Sequence, residues 1–195
     1  MLVFRSLVFA AMMLCAPGAQ AQQVPPPVNL GIINVQQQTP VWCWLAVVEM
    51  IAHWKQKTPI QGPPHQCAMV SKANGYGKPI CCNPPSQYQN ACFRTGHTQE
   101  IMQLLQATGA GVASYNPPAN PMVLYQTLRS GRPIILQVQS TPFSGHVVVL
   151  TGMEWVKTPY GVQPVLHIND PLAHFTQPVP FQQLIPIWSA AIVVN

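Results

Sequence analysis

The placement of cysteine constrains this chain more than any other feature. Six cysteines occur in 195 residues: Cys15, Cys43, Cys67, Cys81, Cys82 and Cys92. The first lies in a segment that reads as a secretory leader. Arg5 supplies a positive start, Leu7 to Leu14 is apolar, and Ala19-Gln20-Ala21 is an A-x-A cleavage signal. The apolar run is too short to span a bilayer. Leu14 also stands where lipoprotein processing at Cys15 would need a small residue. The expected division is therefore a signal peptide over 1–21 and a single domain over 22–195, exported to the periplasm or secreted, with no stable membrane insertion once the leader is gone.

Removing Cys15 leaves an odd number of cysteines, which in an exported protein implies a free thiol or an intermolecular bridge. Four of them cluster between Cys67 and Cys92, and Cys43 stands apart. Two disulfides in the cluster and one free Cys43 is the economical account, and oxidising compartments favour such bridges. A bond between the neighbours Cys81 and Cys82 would be strained. Two pairings remain open: 67–81 with 82–92, or 67–82 with 81–92. The spacing C-x13-C-C-x9-C lacks the close cysteine pairs of structural zinc sites, so no metal is expected.

Charged residues make up 7% of the chain and hydrophobic ones 48%, which argues against disorder. Twenty-two prolines argue against a helical bundle. The net charge of +5 comes from scattered Lys and Arg with no basic stripe, so no nucleic-acid partner is expected.

Residues 22–34 read as an extended strap. Cys43, Val47, Met50, Ile51 and Trp54 recur at helical steps, predicting a buried helix over 42–54. Residues 58–97 read as loops held by the disulfides. Thr98 is expected to cap a helix carrying Ile101, Leu104 and Leu105, ended by Gly109 and Gly111. Asn120-Pro121 begins another helix and Gly131 stops it. Strands are expected at 133–138, 146–152, 165–168 and 190–194. Helices followed by strands predict an α+β fold.

Within this frame Cys43 occupies the first turn of a buried helix, where the helix dipole favours a thiolate. A histidine to take the thiol proton and a group to orient that histidine complete a nucleophilic site. His146 opens the apolar strand Gly145-His146-Val147-Val148-Val149, where a polar ring needs a partner. His53 lies nearly three turns along the Cys43 helix, too far to reach the thiol. His65, His97, His167 and His174 fit surface positions. Asp170 is the sole aspartate of the chain and sits at a strand end beside Pro171. It is preferred as orienter over Asn169, which would point to the opposite face. The Cys43 N–H is one oxyanion donor, and Gln36, Gln37 and Gln38 offer a side-chain amide as a second.

These residues carry a resemblance. Gln37-Gln38-Thr39-Pro40-Val41-Trp42-Cys43-Trp44 resembles the nucleophile region of papain-like cysteine proteases. Together with Cys81-Cys82, Gly131-Arg132-Pro133, Gly145-His146 and Asn169-Asp170-Pro171, it is similar to the bacterial papain-like proteases related to the AvrRpt2 effectors. There is further similarity to the bacteriocin-processing C39 group. The sequence departs from the Trp-Cys-Trp-Ala-Ala pattern at Leu45, a change of packing only. The resemblance implies a papain-like fold, with the nucleophile helix packed on an antiparallel sheet. It also implies Cys43 as nucleophile, His146 as base, Asp170 as orienter and Gln37 or its neighbour Gln38 as oxyanion donor. A protein or peptide is the implied substrate, and no cofactor is implied. The same constellation would also serve a transamidase or amidase, and an inert exported binding module could share the fold.

Overall fold

The structure is a computed structural model that describes residues 24–56, 65–141 and 144–195. The expected leader, with Cys15, lies outside the described residues. Among them the elements run in the order β1 (Val28–Asn29), α1 (Cys43–Gln56), α2 (His65–Ala73), α3 (Gln89–Cys92), α4 (Thr98–Ala107), β2 (Ala113–Asn116), α5 (Pro121–Arg129), β3 (Ile134–Thr141), β4 (Ser144–Thr158), β5 (Gly161–Asn169), β6 (Val179–Pro180), α6 (Phe181–Leu184) and β7 (Trp188–Val194). Helices come first and the sheet later, giving the α+β class.

The strands form one antiparallel sheet in the order β2-β7-β3-β4-β5-β6, with β1 added along β4. Strand β4 organises it. Its first half pairs with β3, from His146 against Val138 to Leu150 against Ile134. Its second half pairs with β5 as far as Thr158 against Gly161. Where β1 crosses it, the chain needs glycine at 152, because a Cβ there would lie 2.7 Å from the Val28 carbonyl oxygen.

The apolar run in β4 is buried on both faces, and the pleat sorts it into two cores. Val147 and Val149 join Ile135, Ile192 and Val194 beneath α1, α2 and α4. Val148 and Leu150 join Ile134, Leu136 and Ala191 beneath α5. Helix α1 is continuously buried from Trp44 to Ile51, as its nearly all-round apolar sequence requires. Helix α5 has the caps its sequence announced. Asn120 Oδ1 accepts from the Val123 N–H at 3.0 Å, Pro121 is the first helical residue, and Gly131 takes φ 76° after the last turn.

Three expectations are corrected. Thr98 is the first helical residue of α4, and His97 is the cap. The Glu100 carboxylate reaches back to the His97 N–H at 2.9 Å, while the Thr98 hydroxyl is taken by Gln137 Nε2 at 2.6 Å. The region expected to be loops contains α2, a real helix stapled through Cys67. Strand β4 extends well beyond 152, because its outer half finds partners in β1 and β5.

Candidate active site

The two disulfides are Cys67–Cys82 and Cys81–Cys92, with Cα separations of 4.8 and 5.3 Å. This chooses between the two pairings the sequence left open. Cys43 is free and half-buried. The bridged module is bound to the start of α1 by the two tryptophans that flank Cys43. Trp42 donates its indole N–H to the Cys92 carbonyl at 2.9 Å and stacks on Phe93. Trp44 packs against Gly96, where any Cβ would collide with the indole. The Arg94 guanidinium lies 5.2 Å from the Trp44 ring and pairs with Glu100. Hydrogen bonds from Arg94 hold the Glu100 carboxyl below the usual carboxylate range, although burial opposes them. The disulfides therefore brace one wall of the space in front of the thiol.

That space is a cleft of about 560 Å³. Cys43 and Trp44 of α1, residues 95–99, Gln137 and Val138 of β3, residues 145–147 and Ser189 line it. The volume is in the range of small-molecule and peptide side-chain sites.

His146 enters from the start of β4. It is 4% exposed, and its Nε2 lies 2.6 Å from Asp170 Oδ1. The register explains why Asp170 meets it and Asn169 does not. Asn169 pairs with Val149, so the next residue falls opposite Val148, on the face His146 shares two positions away. Asn169 points the other way and donates to the Ile32 carbonyl at 2.7 Å.

Asp170 is fully buried, and its carboxylate is saturated. Oδ1 accepts from His146 and the Leu172 N–H, and Oδ2 accepts from the N–H groups of His174 and Phe175. Burial alone would raise its pKa. The hydrogen bonds from His146 and the backbone win, and its pKa is lowered. Burial pushes the His146 pKa down, but its hydrogen bonds and charge interactions with Asp170 and Cys43 raise it from 6.5 to about 9. The raised value favours the imidazolium at neutral pH, with the ring held between the Asp170 carboxylate and Cys43. This is the charge state a thiolate–imidazolium nucleophile requires.

The structure brings Cys43, His146 and Asp170 together. It places Gln37 nearby but not in the cleft lining. Gln37 is half-buried, its Nε2 donates to the Thr39 carbonyl at 2.6 Å, and its Oε1 is buried without a partner. The Gln37 N–H donates to the Pro171 carbonyl, so its backbone is attached to the Asp170 turn. Gln38 has an exposed side chain, and its N–H is taken by Gln66.

The other histidines are accounted for separately. His53 lies 3.7 Å from Glu49 and His167 lies 3.1 Å from Glu154. His174 rests with its ring 5.8 Å from that of His146. The side chain of His65 lies outside the description. Sequence reasoning missed the opposite wall of the cleft, residues 95–99, together with Gln137 and Ser189. A signal for the wall existed in Gly96-His97 at a helix start, but the contact of Gly96 with Trp44 is made only in three dimensions.

Residues 27–185 match the family described as papain-like cysteine protease AvrRpt2. No curated protein matches the chain. Among solved structures, the chain is similar to a C39-like peptidase from Bacillus anthracis, at 14% identity and a TM-score of 0.50, with 88% of this chain and 98% of that one covered. At that identity the similarity speaks for the fold, which is the helix-on-antiparallel-sheet arrangement expected. The match over residues 27–185 carries more, and on it the chain belongs to the AvrRpt2 family of papain-like cysteine proteases.

Proposed function

We propose that the chain is an exported cysteine peptidase that cleaves peptide bonds through Cys43, His146 and Asp170 by way of an acyl-enzyme. The observation that carries this reading is the chain of contacts from the only free described cysteine, through the buried ring of His146, to a saturated buried carboxylate. The Cys43 sulfur attacks the scissile carbonyl carbon, and the carbonyl electrons move to oxygen. The Cys43 N–H lies in the first turn of α1, where backbone donors have no intrahelical acceptor, and it faces that oxyanion. Gln37, which keeps one amide hydrogen beyond the one given to Thr39, supplies the second donor. His146 then gives its proton to the leaving amine. The neutral imidazole takes a proton from water, and the hydroxide releases the acyl group as a carboxylic acid and restores the thiolate beside the imidazolium. Asp170 holds the ring and stabilises its charge throughout.

Two disulfides in the described domain fit an oxidising compartment, in keeping with export to the periplasm or beyond it. Iodoacetamide labelling read by mass spectrometry tests the assignment of the nucleophile. Rapid labelling at Cys43, with both disulfides intact, is expected. An inert Cys43 would overturn it.

A further inference from the structure

Gln66 is fully buried, and no step above uses it. Its amide nevertheless engages three partners. Oε1 accepts from the Gln38 N–H at 2.8 Å, while Nε2 donates to the Gln36 carbonyl at 2.9 Å and to Glu49 Oε2 at 2.8 Å. These partners fix which end of the amide is oxygen, because a backbone N–H needs an acceptor and a carbonyl and a carboxylate need donors. Glu49 is itself buried in α1, with its other oxygen 3.7 Å from His53.

The geometry has a definite consequence for Gln37. In an extended segment the carbonyl of residue 36 and the N–H of residue 38 face one side, and the groups of residue 37 face the other. Gln66 takes the first pair as a neighbouring strand would, and the Gln37 N–H is taken on the far side by the Pro171 carbonyl at 3.2 Å. The backbone of Gln37 is thus gripped from both sides. One grip comes from the Asp170 turn, and the other from the helix that carries Cys67.

We propose that Gln66, oriented by Glu49, is a positioning residue that fixes the Gln36–Gln38 segment and thereby aims the oxyanion-binding amide of Gln37. This rests on the oxyanion role given to Gln37 above. The sulfur–imidazole pair does not depend on Gln66, so its chemistry separates from that of the oxyanion.

The test compares Gln37→Ala, Gln66→Leu, the pair Q37A/Q66L and the pair E49L/Q66L. The last removes the carboxylate that Gln66→Leu would leave buried without its amide donor, so it keeps the test open if the single variant folds poorly. Each is assayed for kcat and KM on a cleaved peptide and for the iodoacetamide rate at Cys43. Gln37→Ala is expected to lose about a hundredfold in kcat. Gln66→Leu and E49L/Q66L are expected to lose about tenfold or more in kcat, with KM within about twofold and an unchanged alkylation rate. Q37A/Q66L should be no slower than Gln37→Ala, because the two act through one donor. Gln37→Ala impaired, but with E49L/Q66L at wild-type kcat, would overturn the inference alone. So would losses that multiply in Q37A/Q66L, or alkylation that falls in parallel with kcat. Gln37→Ala at wild-type kcat would overturn the oxyanion role itself, and this inference with it.

Discussion

Replacing Asp170 by asparagine changes one charge at the centre of the site and almost no volume. The rise of the His146 pKa from 6.5 to about 9 corresponds to about 3 kcal/mol of preference for the imidazolium. That preference is a balance in which burial works against the interactions with Asp170 and Cys43. The Asp170→Asn substitution would leave the burial in place and remove the anion that supplies the leading favourable contribution. The His146 pKa should then fall back toward 6.5. The free proton donor is lost at neutral pH, and kcat/KM should fall by about one to two decades. The alkaline limb of the kcat/KM profile, which marks proton loss from His146, should move from about 9 toward neutrality. Stability should also suffer. One oxygen of Asp170 accepts two backbone N–H groups, from His174 and Phe175, and an amide nitrogen placed there accepts neither. Two part-buried donors without an acceptor cost about 2 kcal/mol, so rates should be measured well below the melting transition. An Asp170→Asn enzyme with wild-type kcat/KM and an alkaline limb still near 9 would refute the reasoning.

The pH dependence of stability follows from the same pair. His146 has a raised folded pKa, so its contribution is full below 6.5 and disappears as the pH climbs through about 9. Asp170 has a lowered one, so its contribution is present above 3.8 and disappears at more acid pH. Thermal melts across pH should show a plateau bounded by these two losses, and His146→Ala should flatten the alkaline edge. Gly96→Ala should destabilise by about 1–3 kcal/mol, read by chemical denaturation, because the new methyl must displace the Trp44 indole beside the nucleophile. Opening the Cys67–Cys82 bridge with a double serine variant should cost about 3 kcal/mol for a loop of this separation, measured in the same way.

The residues of the candidate site were more legible in the sequence than the architecture around them. Cys43 was legible because the other four cysteines beyond the expected leader lie in one cluster and can pair among themselves. Asp170 was legible because the chain has no other aspartate, and strand alternation alone separates it from Asn169. The ends of α5 were legible because Asn120, Pro121 and Gly131 act locally. Other features depend on partners far away in the chain. The outer half of β4 is a strand because β1 and β5 lie against it, and residues 152–158 carry no sign of that. Helix α2 has a weakly apolar sequence, and it is held by Cys67 and by Gln66 reaching into the core. The disulfide pairing was fixed by folding, since both alternatives satisfy the spacing. The role of Gln66 was invisible for the same reason: its three partners lie at positions 36, 38 and 49, and only the fold assembles them.

The most direct test of the central claim is cleavage of a broad peptide library by the wild-type protein and by Cys43→Ala, with products read by mass spectrometry. The wild type should yield hydrolysed peptide bonds, and Cys43→Ala, folded and with both disulfides formed, should yield none. Cleavage that survives in Cys43→Ala would contradict the account. Amide exchange in place of hydrolysis would keep the nucleophile and overturn the peptidase assignment.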